Sequence, residues 1–154
     1  MKRFLAELEA MKARLPAGHT SSLVMPCLHR IQDERGFVAD EDIAFLAEHL
    51  GVPRVQIEEV LSFYTMFRRM PHGRHFIEVC RNVSCSMQGS EKILAHLKAR
   101  LGIGPGETTP DGRITLATAE CLASCGTGPV MVVDGAYRER LTEDRVDAIL
   151  EELS

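Results

Sequence analysis

The chain contains no tryptophan and only two tyrosines and six phenylalanines among its 154 residues. Apolar residues still make up 45% of the sequence, so a core of ordinary size has to be built largely from aliphatic side chains. No uninterrupted apolar run approaches the ~20 residues that a membrane-spanning helix needs. We therefore expect a globular protein without direct membrane insertion, which reaches a membrane only through partners.

Two further features are missing. The N-terminal segment MKRFLAELE has charged residues where a signal peptide would have an apolar core, so we expect the protein in the cytoplasm. An excess of basic residues is absent as well: the formal net charge of −4 gives no electrostatic reason to expect nucleic acid as a partner.

Four of the five cysteines form two close pairs. Cys80 and Cys85 enclose four residues, and each pair directly follows a segment that we expect to be a strand. Cys121 and Cys125 enclose three residues. Thiolates are soft anionic ligands that repel one another unless a cation lies between them. Two such pairs on two loops therefore indicate a metal ion or cluster.

Several kinds of cysteine site compete for these pairs. Disulfides suit an oxidising compartment, which the N-terminus does not indicate. Zinc ribbons favour a tighter C-x2-C spacing, although a structural four-cysteine zinc site stays open as an alternative. A [2Fe–2S] cluster is longer than one ion, so each iron can take two thiolates from its own loop, whereas a [4Fe–4S] cluster commonly takes a C-x2-C-x2-C run. Neither that run nor the C-x-x-C pair of a dithiol oxidoreductase is present. The loose spacing favours two irons.

Apolar residues recur at helical spacing before the cysteine pairs, and they predict a four-helix bundle within residues 1–70. The fifth cysteine, Cys27, lies on an apolar face of the second helix, and we expect it to be a core residue. The expected capping and ending residues are Ser21 or Ser22 and Gly36 for the second helix, Asp40 and Gly51 for the third, and Pro53 at the start of the fourth.

Residues 42–61 allow a different interpretation. Two short helices joined by a glycine turn are typical of a helix-turn-helix, so an iron–sulfur-sensing DNA-binding regulator is an alternative. Its recognition helix would present Glu58 and Glu59 to the phosphates and would offer only Arg54 and Gln56 to the bases. A bundle that docks on another protein is the better interpretation.

The apolar periodicity changes from helical to alternating at Pro71–Gly73, and we place a boundary there between domains 1–70 and 71–154. The second domain is expected to run strand, helix, strand, strand, helix. The expected elements are a strand ending at Cys80, a helix from Ser90 to Gly102, a strand through Ile114 and Leu116, a strand at 130–133 and a helix that begins at Thr142. The Gly128–Pro129 bond is a candidate for the cis form.

Long stretches of the chain resemble one known family. They are EVCRNVSCSMQGS (78–90), PGETTPDGR (105–113) and ECLASCGTGPV (120–130), with LHRIQDERGF (28–37) and SFYTMF (62–67) in the helical part. These runs are similar to the 24 kDa [2Fe–2S] subunit of NADH-quinone oxidoreductase (complex I). Related chains are the small subunits of NAD-linked hydrogenases and formate dehydrogenases, which are the alternative parent complexes.

The resemblance implies an α+β protein in which an N-terminal helical bundle precedes a thioredoxin-like α/β [2Fe–2S] ferredoxin domain. The implied cluster ligands are Cys80, Cys85, Cys121 and Cys125. The implied partner is a flavoprotein subunit of a multisubunit complex, with FMN and NADH bound on that partner and not on this chain. The chain alone would then catalyse no reaction, and its complex could lie at the cytoplasmic face of the inner membrane.

Residues beside the cysteines could adjust such a cluster. Arg81 would favour the more negative reduced state, and Glu120 would oppose it. Hydrogen-bond donors to the cluster sulfurs could come from Ser84, Ser86 and the backbone N–H groups near Gly89, Ala123 and Gly126. Ala123 departs from the resemblance, since we expect glycine there, and its methyl group could alter how the loop approaches the cluster.

Overall fold

The structure is a computed structural model that describes residues 2–16 and 18–153. The chain forms two compact units, Met1–Pro71 and His72–Ser154, each with a hydrophobic cluster of its own. We call them the helical unit and the cysteine unit. Among the described residues, no helix combines the length and apolar character needed to cross a membrane.

The helical unit contains the predicted helices. They are α1 (Lys2–Lys12), α2 (Val24–Arg35), α3 (Asp40–Leu50) and α4 (Arg54–Phe63), with a 3₁₀ turn at Thr20–Leu23. The core is aliphatic, as the composition requires. Its fully buried members are Leu8, Cys27, Leu28, Val38, Ile43, Leu46 and Ile57. Cys27 is thus a core residue, as predicted.

The ends of these helices agree with the prediction better than their beginnings do. Gly36 and Gly51 follow α2 and α3 in the left-handed conformation, with φ of 81° and 66°. The predicted serine cap of α2 is wrong, because the 3₁₀ turn precedes that helix and the hydroxyl of Ser22 donates to the carbonyl of His19. The prediction for α3 is also wrong by one residue: Ala39 is the N-cap, and its N–H donates to the Asp42 carboxylate at 2.8 Å.

The cysteine unit is a four-stranded sheet with helices, formed by residues 72–153. Its elements are β1 (His75–Cys80), α5 (Val83–Met87), α6 (Ser90–Leu101), β2 (Ile114–Ala119), β3 (Met131–Val133), β4 (Ala136–Arg138) and α7 (Glu143–Glu152). The strand order is β2-β1-β3-β4, in which β1 and β2 are parallel and the other neighbours are antiparallel. Helix α6 contacts both α7 and β1. The fully buried core residues are Ile77, Leu97, Ile114, Leu116, Val130, Met131 and Val146.

Several local predictions in this unit can be compared with the structure. Thr142 begins α7 as predicted, because its hydroxyl accepts a hydrogen bond from the Arg145 N–H. The Gly128–Pro129 bond, which the sequence offered only as a candidate for the cis form, is cis. Ser90 does not cap α6, since Gly89 (φ 98°) is the N-cap and Ser90 is the first helical residue. The expected element order missed the short helix α5 and the edge strand β4.

Candidate metal centre

The two cysteine loops begin at the same edge of the sheet. Strands β1 and β2 run parallel, and their last paired residues are Cys80 and Ala119. The backbone N–H of Arg81 continues this pairing with a hydrogen bond of 2.9 Å to the Ala119 carbonyl. The loop after β1, which carries the first pair, therefore adjoins the loop after β2, which carries the second.

The first cysteine pair is buried. Cys80 ends β1 and Cys85 lies in α5, with 2% and 1% of their surfaces exposed. Both side chains cluster with the buried Val130, and the half-buried Leu122 of the second loop packs against them. Water is thus largely excluded from one side of the site.

The second cysteine pair is exposed. Cys121 follows β2, and Cys125 begins a 3₁₀ turn that ends at Thr127. The backbone N–H of Ala123 lies 3.4 Å from Cys121 Sγ, as predicted for a donor to sulfur. Ala123 holds a φ of 56°, a left-handed conformation in which glycine has no steric cost. This left-handed backbone conformation explains why glycine is expected at this position.

Other predicted donors are engaged elsewhere. The Ser86 hydroxyl donates to the Glu91 carboxylate at 2.9 Å. The Gly89 N–H donates to the Ser86 carbonyl at 2.9 Å. These two groups therefore contribute to the local fold around α5 and α6.

Three of the sulfurs interact electrostatically. Burial raises the pKa of the Cys85 thiol to about 11, and hydrogen bonding and charge interaction with Cys80 and the charge of Cys125 act in the same direction. A backbone hydrogen bond with Val130 partly opposes this rise in pKa. A cation among these sulfurs would lower the pKa of the thiols, because it stabilises the thiolate forms that otherwise repel one another.

A glutamine that sequence reasoning missed connects the two cysteine loops. Gln88 Nε2 donates to the Ser84 carbonyl at 2.9 Å and to the Cys125 carbonyl at 3.1 Å. Its position three residues after Cys85 was the available signal. Its partner Cys125 lies 37 residues further along the chain, so the contact itself could not be inferred from sequence spacing.

Strand β4 and the residue after it hold the second loop from the other side. The Tyr137 hydroxyl donates to the Leu122 carbonyl at 3.0 Å. The Glu139 carboxylate accepts hydrogen bonds from the hydroxyls of Ser124 and Thr127, and these bonds lower the pKa of Glu139. Sequence reasoning missed both residues because it missed β4.

Arg81 and Glu120, each next to a cysteine, lie close to each other. Arg81 Nε is 3.6 Å from Glu120 Oε1, and both side chains are exposed. The two residues predicted to have opposite effects on a cluster therefore form an ion pair across the two loops.

The chemistry of the donor set agrees with a two-iron cluster. Two pairs of soft sulfur ligands on adjoining loops can hold one iron each, and thiolate sulfur is the ligand that such a cluster takes. Within the part of the chain that the structure describes, no three His, Cys, Asp or Glu residues are close enough together to hold a single metal ion, so the four cysteines are not gathered around one ion position.

Comparisons with known proteins identify similar chains. Residues 8–154 match the family described as thioredoxin-like [2Fe–2S] ferredoxin. An E-type subunit of the NADH-quinone oxidoreductase of Rhizobium meliloti (strain 1021) is 46% identical over 145 residues, which are 94% of this chain and 85% of that protein. NADH-quinone oxidoreductase subunit 2 of Thermus thermophilus is 38% identical over 93% of this chain and 80% of that protein.

A solved structure is similar as well. The NAD⁺-reducing [NiFe]-hydrogenase in its H₂-reduced state aligns with a TM-score of 0.70 and 26% identity over 85% of this chain. The match spans only 22% of that hydrogenase chain.

Proposed function

Because this chain belongs to the thioredoxin-like [2Fe–2S] ferredoxin family, we propose that it is an electron-transfer subunit of an NADH-quinone oxidoreductase. The proposed ligands of its one [2Fe–2S] cluster are Cys80, Cys85, Cys121 and Cys125. The observation that carries the proposal is the parallel pairing of β1 and β2, which ends at Cys80 and Ala119 and makes the two cysteine loops neighbours. Such a cluster supplies one-electron exchange between ferric and ferrous iron, without making or breaking a bond in a substrate.

The residues of this chain protect and orient the site. Cys80 and Cys85 are buried against Val130, which limits the access of water to one half of the site. Cys121 and Cys125 are exposed, so this half is open to a partner protein. Electrons therefore enter and leave on the side of the second pair. The chain by itself turns over no substrate.

The proposed partner is the flavoprotein subunit that binds FMN and NADH and passes single electrons to this chain. The helical unit is the proposed docking surface, because large apolar side chains stay exposed on or just after α4. These residues are Val55, Phe63, Met66 and Met70. Several exposed large apolar side chains within residues 55–70 indicate a surface that another protein covers. The complex that results lies at the cytoplasmic face of the inner membrane.

Coexpression with such a flavoprotein tests the docking surface. We expect the double variant Phe63→Asp, Met70→Asp to lose stoichiometric copurification, because two charges would be buried without partners. Ala13→Asp, at an exposed position just after α1, is the matched control and is expected to copurify. Full copurification of the double variant would contradict the docking proposal.

The cluster itself is tested by the visible and EPR spectra of the purified chain, with iron and sulfide counted. We expect about two of each per chain, the content of one [2Fe–2S] cluster. One zinc ion and no sulfide would overturn the proposed function in favour of a structural site.

A second candidate is the equivalent small subunit of an NAD-linked hydrogenase or formate dehydrogenase. The similarity to the NAD⁺-reducing [NiFe]-hydrogenase favours it specifically. The genes beside this one distinguish the parent complexes, since a hydrogenase would be encoded with a nickel-binding large subunit. Copurified nickel would make the same distinction in the protein.

A further inference from the structure

Gln88 makes side-chain hydrogen bonds to both cysteine loops. One of its amide hydrogens is donated to Ser84 in the first loop, and the other to Cys125 in the second, with Nε2–O distances of 2.9 and 3.1 Å. Its own backbone N–H donates to the Cys85 carbonyl at 3.1 Å. Gln88 is therefore fixed to the first pair through its backbone and to the second pair through its side chain.

Gly128 lies directly against the side-chain amide of Gln88. A Cβ atom at Gly128 would lie 2.8 Å from Gln88 Nε2 and 3.1 Å from its Cδ. The same Cβ would lie 3.4 Å from Cys85 Sγ. A side chain at position 128 would therefore have to displace the Gln88 amide from its place beside the Cys85 sulfur.

We propose that Gln88 is a positioning residue, which sets the separation of the two cysteine loops and thereby the geometry of the bound [2Fe–2S] cluster. This inference rests on the proposed function and deepens it. Gln88 donates a hydrogen bond to the backbone carbonyl of Cys125, so it acts through the second pair. Without the hydrogen bond to Cys125, the exposed loop keeps its ion pair with Arg81 and its hydrogen bonds with residues of and after β4.

The helical unit provides a matched control for this role. Gln32 also makes two side-chain hydrogen bonds to a distant segment: its Nε2 donates to the Met66 carbonyl at 2.9 Å, and its Oε1 accepts from the Arg68 N–H at 2.7 Å. A change at Gln32 removes similar bonds from a unit without the cysteine pairs. The Gln32 variant therefore shows how a loss of stability by itself affects the cluster signals.

The test uses the full chain loaded with its cluster and four forms of it: wild type, Gln88→Met, Gln88→Glu and Gln32→Met. Methionine has nearly the length of glutamine but cannot donate, and glutamate keeps the shape of glutamine while placing an acceptor against two carbonyl oxygens. Visible circular dichroism reports the geometry of the cluster. The decay of visible absorbance under a fixed concentration of iron chelator reports how firmly the loops hold it.

We expect Gln88→Met to change the visible dichroism and to lose the cluster about three- to tenfold faster, which is the range for one or two exposed hydrogen bonds. Gln88→Glu is expected to lose it faster still. Gln32→Met should lower the urea midpoint and leave both cluster signals as in wild type.

Two results overturn the inference. One is wild-type dichroism and wild-type cluster lifetime in both Gln88 variants. The other is an equal change in Gln32→Met, which would reduce the effect to general stability. A wild-type chain without iron and sulfide would instead overturn the proposed function, and the positioning role with it, so the two failures are distinguishable.

Discussion

Each of the two units contains a buried cysteine with a raised pKa, but the causes of the rise differ. Cys27 in the helical unit is fully buried among aliphatic side chains, and burial alone raises its pKa to about 11. Cys85 in the cysteine unit is equally buried and has a similar pKa, but the sulfurs of Cys80 and Cys125 contribute to the rise. Burial therefore does not distinguish a core cysteine from a proposed ligand. The neighbouring sulfurs do.

The largest expected effect separates these two cysteines directly. Replacing Cys85 by serine should abolish or strongly alter the visible spectrum, because a proposed iron ligand is lost. Cys27→Ser should leave the spectrum unchanged and lower the free energy of unfolding by about 1–3 kcal/mol, the cost of burying a hydroxyl among apolar groups. Absorbance spectra and urea titrations of both variants check this. Equal spectra in wild type and Cys85→Ser would show that Cys85 is not a cluster ligand.

Stability at alkaline pH tests the raised pKa of the core cysteine, Cys27. The folded helical unit holds the Cys27 proton more tightly than the unfolded chain does, so its contribution to stability is complete below about pH 9 and declines as the pH rises to about 11. Wild type should therefore lose more stability than Cys27→Ser over this range. Urea midpoints at several pH values measure the difference, and parallel curves for the two proteins would contradict it.

A smaller effect is expected from the ion pair beside the cysteines. Arg81→Gln should lower the reduction potential of the cluster, because reduction adds negative charge, and Glu120→Gln should raise it. Both residues are exposed, so we expect shifts below the ~59 mV that corresponds to a tenfold change in a one-electron equilibrium. The shifts should shrink in salt. Redox titrations at two ionic strengths measure them, and shifts of the same sign in both variants would rule this interpretation out.

The smallest expected effect is that of Ala123→Gly. Relief of the left-handed conformation at φ 56° favours the variant by about 1–2 kcal/mol. The greater freedom of glycine in the unfolded chain opposes it by about 0.4–1 kcal/mol. We expect a net gain between zero and about 1.6 kcal/mol in the urea-derived free energy of unfolding and an unchanged visible spectrum. A clear loss of stability would show that the methyl group makes contacts of its own.

Sequence reasoning succeeded where the signal is local. Gly36, Gly51 and Gly102 were predicted to end their helices, and a left-handed glycine at a helix end needs only its immediate neighbours. It failed at three helix starts because several polar residues there could cap and the choice depends on tertiary contacts. The prediction at Asp40, for instance, was wrong by one residue, since Asp42 bonds to the N–H of Ala39 while pairing with Arg35.

The missed elements share a physical cause. Helix α5 has five residues and β4 has three, so neither is long enough to display a period. The cysteines could be recognised from their spacing as a proposed ligand set. The groups that hold the cysteine loops, Gln88 and Glu139, could not, because their partners in the second loop lie 12 to 37 residues away along the chain.

The shared end of β1 and β2 has a consequence for how such chains can diverge. Since the sheet register brings Cys80 level with Ala119, the two loops meet where the paired strands end, whatever the number of residues between the two cysteine pairs. Insertions between α6 and β2 should therefore be tolerated where they leave the backbone hydrogen bonds of Gly106, Glu107, Thr109 and Gly112 intact. A search pattern that fixes the gap between the two cysteine pairs would therefore overlook chains with the same architecture.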